Sequence, residues 1–194
     1  MYERVMIVID DRAVSQSCIL QGLELARVHQ ATAVFLYLLP KMNIPGLDAL
    51  SITGVSDEAL YVGSKAHGER VLLAAREAAG DLGIHSFGLM GLGDDNVQCV
   101  VDASKSQHCD IIVVGTEGRN AVIRLLTGNI VPGLISQATV PVLVCREMGS
   151  IRGYGRRTAV ALRAKFKREE LAARRLRGSD CSNQQNQTYK KGPR

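Results

Sequence analysis

The stretch Asp110-Ile111-Ile112-Val113-Val114-Gly115-Thr116-Glu117-Gly118-Arg119 decides how this chain folds. Four consecutive β-branched aliphatics leave no polar position for solvent on either face. Such a run reads as a strand buried on both sides, as in a sheet covered by helices. It then breaks at once into glycine and polar residues, the way a strand ends in a turn. Val5-Met6-Ile7-Val8-Ile9 has the same form and ends in Asp10-Asp11.

The rest of the first 147 residues alternates between such strands and amphipathic segments. The spacing predicts a helix over 15–30 with Cys18, Ile19, Leu23, Leu25, Ala26 and Val28 in its apolar pattern, and Ser15 or Ser17 as its cap. A second buried strand spans 32–39 and closes at Pro40, followed by an aperiodic loop over 41–53. Val71, Leu72, Ala75 and Ala78 form the inward stripe of a helix over 64–82. Ser86 and Gly88 dilute a weak strand over 84–90. A helix over 96–107 rests on Val97, Val100, Val101 and Ser104, and a short helix over 130–137 precedes a last strand over 140–145. Strand and helix in strict alternation require crossover connections, hence an α/β fold with a mainly parallel sheet and helices on both faces. Ligands of such sheets bind outside the carboxyl ends of the strands, where strand order reverses. The ends of the first and fourth strands are therefore the places to inspect.

Composition narrows the class. Hydrophobic residues make up 46% of the 194, enough for a core, while aromatics are 4% with no Trp, so the core must be aliphatic. No apolar run approaches the roughly 20 residues of a transmembrane helix, and the first apolar run is too short for a signal peptide. These features lead to the expectation of a cytoplasmic protein. The five cysteines, at 18, 99, 109, 145 and 181, show no CxxC and no paired spacing, so neither a disulfide framework nor a zinc site is expected. The histidines at 29, 67, 85 and 108 are dispersed, which leaves no metal site and no Ser-His-Asp or Cys-His arrangement to argue.

The net charge of +5 averages two unlike regions. Residues 151–194 hold 13 Lys/Arg against 3 Asp/Glu, whereas residues 1–150 carry a net −5. Two units are expected: a domain over 1–147 and a basic tail over 148–194. A glycine-rich linker leads to a helical pattern over 158–177, with Ala159, Leu162, Phe166, Ala173 and Leu176 on one side; a polar, Gln/Asn-rich end over 178–194 reads as disordered. The tail suits an anionic surface, whether on its own domain, a partner, nucleic acid or lipid, or it is a solvated extension.

After the fourth strand, Gly115, Gly118 and Gly128 follow the spacing G-x2-G-x9-G, with Asn129 next. Glycines let the main chain approach an anion closely, and a helix N-terminus offers N–H groups and partial positive charge to phosphate. Arg119 and Arg124 supply cations in the same loop. The same residues also read as a plain glycine-rich turn with Asn129 as an N-cap. Asp10, at the end of the first strand, is placed to accept hydrogen bonds from a ribose or adenine, or is simply a strand-ending acid.

In order and spacing, several blocks resemble the universal stress protein family. They are Val5-Met6-Ile7-Val8-Ile9-Asp10, Gly93-Asp94, Cys109 through Arg119, Leu125-Leu126-Thr127-Gly128-Asn129 and Thr139-Val140-Pro141-Val142-Leu143-Val144. The resemblance covers about residues 2–147 and implies a five-stranded doubly wound sheet of order 3-2-1-4-5. It further implies an adenine nucleotide (ATP, ADP or AMP, with Mg²⁺ as a companion ion) as ligand. Carried over residue by residue, Ile9 and Asp10 contact the nucleoside, Leu38 and Leu39 provide main chain near adenine, and Val114, Gly115, Thr116, Gly118, Arg119, Gly128, Asn129 and Ile130 form and flank the phosphate cradle. Three departures stand out: Asn129 where nucleotide binders have Ser or Thr, Asp11-Arg12 where many members have Gly-Ser, and Val8 where many have Pro. The resemblance also implies a homodimer through the last strand, at Val142 and Val144.

Two functions follow as expectations. One is a nucleotide-binding regulatory or stress-response protein; the other is a nucleotide-free dimeric scaffold that docks partners through its dimer surface or tail. No Walker lysine accompanies the glycines, and Glu117 is the one acid in the loop able to orient a water or hold Mg²⁺. The expectation is a binding protein, with slow ATP hydrolysis as the most enzymatic outcome.

Overall fold

The computed structural model describes residues 1–9, 14–39, 57–92, 95–116 and 130–146. Within them the chain runs β1 (Arg4–Ile9), α1 (Val14–His29), β2 (Thr32–Leu38), α2 (Asp57–Asp81), β3 (Ser86–Gly91), α3 (Asn96–Ser106), β4 (Ile111–Thr116), α4 (Ile130–Gln137) and β5 (Val142–Arg146). The strands form one five-stranded sheet of order β3-β2-β1-β4-β5, and every pairing is parallel.

That order has a direct consequence for the helices. Crossovers between parallel strands are right-handed, so the face on which a helix lies depends on the direction of travel across the sheet. The chain moves one way from β1 through β2 to β3, then returns past β1 to β4 and β5. The side chains follow this turn. Val5, Ile7, Ile9, Phe35 and Tyr37 point to a core shared with α1 and α2, while Met6, Val8, Val34, Leu36, Ile112 and Val114 point to a core shared with α3 and α4. Both faces are covered, which is why β1, β2 and β4 are apolar at nearly every position.

Helix and strand approach closely where a glycine allows it. A Cβ on Gly22 of α1 would lie 2.5 Å from Cγ1 of the fully buried Ile7, so only hydrogen lets α1 settle onto β1. Asp95 opens α3 by accepting the N–H groups of Val97 and Gln98 at 2.8 and 3.2 Å, satisfying donors that a helix start otherwise leaves open.

Several expectations are corrected. Val28 is not part of the buried pattern of α1: it is 63% exposed. The helix begins at Val14, so Ser15 and Ser17 lie inside it, both buried, and neither caps it. α2 begins at Asp57 rather than at 64, because the segment before Ser64 is helical without a clear apolar period. β3 pairs with β2 along its whole length; its dilute composition reflects an edge position, and Gly88 makes room for Leu72 of α2. β5 begins at Val142, after Pro141, whose carbonyl still accepts the Ile112 N–H at 3.0 Å. The loop over 41–53, Gly93-Asp94 and the basic tail lie outside the described residues. No described helix is long and apolar enough to cross a membrane.

Candidate functional site

The order reversal falls between β1 and β4, and there the sheet opens. These two strands pair from Val5 opposite Ile111 to Ile7 opposite Val113 and no further. On its other side β1 stays paired with β2 to Ile9 opposite Tyr37, and β4 stays paired with β5 to Thr116 opposite Arg146. Each strand is thus held by its outer neighbour while β1 and β4 part from one another. Val8 and Ile9 on one side, and Val114, Gly115 and Thr116 on the other, bound a crevice at the carboxyl end of the sheet.

The described members of the expected site gather around it. Ile9 is the last residue of β1, and Val114, Gly115 and Thr116 are the last three of β4. Leu38 ends β2, and the Leu39 N–H donates to the Gly91 carbonyl at 3.1 Å, extending the β2–β3 ladder past the strand. Ile130 is the first residue of α4. Ile9, Leu38, Leu39, Val114 and Ile130 are all buried, their side chains committed to one core or the other. What they offer a ligand is main chain, not side chain. Asp10, Glu117, Gly118, Arg119, Arg124, Gly128 and Asn129, and the departures Asp11 and Arg12, lie outside the described residues.

α4 is fixed with its N-terminus toward this end of the sheet. It packs Ile130, Val131 and Leu134 into the α3/α4 core. Gly133 lets it approach α3: a Cβ there would stand 2.7 Å from Val97 Cγ2. Pro132 carries no N–H, a cost confined to the first turn, where no helical partner exists for that donor. A helix start placed there directs its partial positive charge at the crevice.

A further feature escaped sequence reasoning. Cys18 of α1 and Cys145 of β5 lie in the same buried core, and the Cys18 thiol holds Cys145 below the usual thiol range against the opposing effect of burial. No sequence spacing signals a pair made by packing a helix near one end of the chain on a strand far along it. Among the described residues no group of three His, Cys, Asp or Glu is placed to hold a metal.

This architecture is that of known proteins. The family model for the universal stress protein family matches residues 1–146. A universal stress protein of Methanocaldococcus jannaschii is 26% identical over 149 residues, spanning 76% of this chain and 84% of that one. A crystal structure from the universal stress protein family of Burkholderia pseudomallei superposes with a TM-score of 0.59 at 20% identity, covering 74% of this chain and 95% of the other. The universal stress protein from Archaeoglobus fulgidus, solved in complex with dAMP, does so with a TM-score of 0.51 at 19% identity, covering 74% and 98%. With the strand order, both helical layers and a family match over three-quarters of its length, the chain belongs to the universal stress protein family.

Proposed function

We propose that this chain is a cytoplasmic, adenine-nucleotide-binding regulatory protein of the stress response, with the phosphates held at Gly115–Asn129. The observation that carries the reading is the parting of β1 and β4 after Ile7 and Val113, which opens a crevice bounded by main chain from both strands. Because Ile9, Leu38, Leu39 and Val114 bury their side chains, the nucleoside is recognised through peptide groups, with Asp10 on the ribose. Phosphate lies over the glycines and the α4 N-terminus, and Arg119 balances its charge. Asn129 caps α4 and donates its amide to phosphate where relatives use a hydroxyl. Mg²⁺, when present, neutralises phosphate charge beside Glu117. The dAMP complex of the Archaeoglobus fulgidus protein is consistent with a ligand of this class.

The test is calorimetry of the full chain with ATP, with and without Mg²⁺, together with mass spectrometry of whatever nucleotide leaves the native protein. Gly118→Val, which places a side chain in the phosphate path, is expected to abolish binding while leaving the fold intact. Absence of heat and of thermal protection over a wide range of ATP concentration overturns the reading.

A specific observation favours a second, compatible reading as a dimeric docking protein. β5 is a sheet edge, and Val142, Leu143 and Val144 are only half-buried along it. An apolar edge with unpaired peptide groups recruits another strand. In this reading two copies meet about a two-fold axis through β5 at Val142 and Val144, and the basic tails offer a surface for an anionic partner. Sedimentation of the full chain as a monomer at micromolar concentration would overturn it.

A further inference from the structure

Helix α2 is longer than the sheet it covers. Its 25 residues span about 37 Å, against about 20–23 Å for the six residues of β3 and the seven of β2. Two close approaches fix where the excess lies. Leu72 packs on Gly88, and a Cβ on Gly68 would stand 2.6 Å from the ring of Tyr37. Tyr37 lies opposite Met90, two residues beyond Gly88. Four helical residues and two strand residues both measure about 6 Å, so α2 runs back along the strands with its N-terminus at their carboxyl end. The β2–β3 register closes one residue further on, at Leu38 opposite Gly91. About the first two turns of α2 therefore stand past the sheet, by on the order of 12 Å. Because α2 packs on β2 and β3, this overhang rises beside Leu38 and Leu39. β4 lies two strand spacings from β2, about 10 Å away.

The inward stripe of α2 changes chemistry at the rim. Over the sheet it consists of Gly68, Val71, Leu72, Ala75, Ala78 and Ala79, all buried. Toward and past the rim the same helical spacing continues as His67, Ser64 and Tyr61, each half-buried, while Val62, Gly63 and Lys65 are exposed. The His67 ring stands edge-on to the fully buried Tyr37 ring, with centroids 6.4 Å apart and planes at 68°. Tyr61 packs against the α1/α2 core. Seating a helix on a sheet calls for apolar groups alone; a phenol, a hydroxyl and an imidazole begin where the sheet stops.

We infer that Tyr61, Ser64 and His67 form the wall against which the adenine base of the nucleotide lies, an inference that rests on the nucleotide-binding reading above. At the ends of the strands a nucleoside meets peptide groups, and α2 adds side chains to them. Tyr61 supplies an aromatic face for stacking. The Ser64 hydroxyl and the neutral His67 imidazole each carry a donor and an acceptor, which is what an amino group beside a ring nitrogen on the adenine edge requires. The ligand then crosses the sheet in order, with its base over β2, its ribose over β1 and its phosphates over β4.

The experiment irradiates the native full chain with 2-azido-ATP, whose reactive group is on the base, with and without excess ATP, and places the label by fragmentation mass spectrometry. Label within residues 61–67 that excess ATP suppresses is the expected result. Calorimetry accompanies it: Tyr61→Ala is expected to weaken ATP binding about tenfold, whereas Tyr61→Phe, which keeps the ring, and Val62→Ala, on the solvent side, bind as the wild type does. ATP-suppressed label confined to other residues overturns the inference and leaves the nucleotide reading standing. So does a folded Tyr61→Ala protein with unchanged ATP affinity, and so does a lack of label in a chain that binds ATP by calorimetry. A lack of both label and heat overturns the nucleotide reading as well. The label map of the wild type decides the matter even if Tyr61→Ala fails to fold.

Discussion

The Asp110 carboxylate accepts the backbone N–H of Arg4 at 2.8 Å, and with it the N–H of Glu3 at 2.6 Å. The Asp110 N–H in turn donates to the Arg4 carbonyl at 2.9 Å, and the Arg4 guanidinium reaches the Gln107 carbonyl at 2.8 Å. This cluster closes the junction between β1 and β4 at the end of the sheet away from the crevice. The two strands are thus pinned at one end and parted at the other.

The pinning is pH-dependent. Two main-chain donors, from Arg4 and then Glu3, hold the Asp110 carboxyl below its usual value of 3.8. A carboxyl depressed in the folded state contributes stability that is full above the unfolded pKa and is lost as pH falls through the folded one. Asp110→Ala is therefore expected to cost about 1–2 kcal/mol at pH 7, a charge-assisted pair discounted for partial exposure. Urea titrations of both proteins should show that difference shrinking below about pH 4. A difference that stays constant down to about pH 2.5 would assign the loss to packing instead.

Gly22→Ala tests the seat of α1 on β1. Helix propensity alone favours alanine by about 1 kcal/mol. Here the new methyl meets Ile7, which is fully buried in mid-sheet and has nowhere to move. A net loss of about 1–3 kcal/mol is expected. Combining it with Ile7→Val should recover part of the loss in a double-mutant cycle. Additive effects in that cycle would mean that the two side chains do not collide.

His108 ends α3 at a φ of 50°, and the Cys109 N–H behind it bonds back to the Ser104 carbonyl at 2.9 Å. That is a helix terminus in the left-handed conformation, where a Cβ is unfavourable and glycine is the usual occupant. His108→Gly is expected to raise stability by about 0.5–1 kcal/mol, measured by chemical denaturation. A loss would show that the imidazole makes a contact worth more than the backbone strain.

A chain ending at Met148 tests the boundary between the domain and the basic tail. The sheet is complete at Arg146, so the melting temperature should stay within a few degrees of the full chain. If residues 151–194 bind nucleic acid or anionic vesicles, the affinity should fall steeply with added salt, because each cation that meets a phosphate releases a counterion. A large drop in melting temperature would instead place the tail against the domain. Val142→Lys probes the edge in the same preparations, but Val142 also packs on the α3/α4 core, so its dimer readout must be taken beside its own melting curve.

The class of fold is written in the residue pattern. Unbroken apolar runs such as Ile111–Val114 need cover on both faces, and their alternation with amphipathic segments requires crossovers; the short helix at Ile130–Gln137 was legible to the residue. The family was legible too, through its blocks. Periodicity, however, reports only which residues share a face, not what covers that face. Val28 fits the apolar pattern of α1 and still faces solvent. Ser15 and Ser17 look like caps until the helix is seen to start before them. The crevice exists because β1 and β4 are each gripped by an outer partner beyond Ile7 and Val113, a property of register and twist that no local pattern encodes. Likewise Cys18 and Cys145, unrelated by any spacing, share one buried core only because α1 packs on the edge strand: tertiary packing sets which distant residues come together.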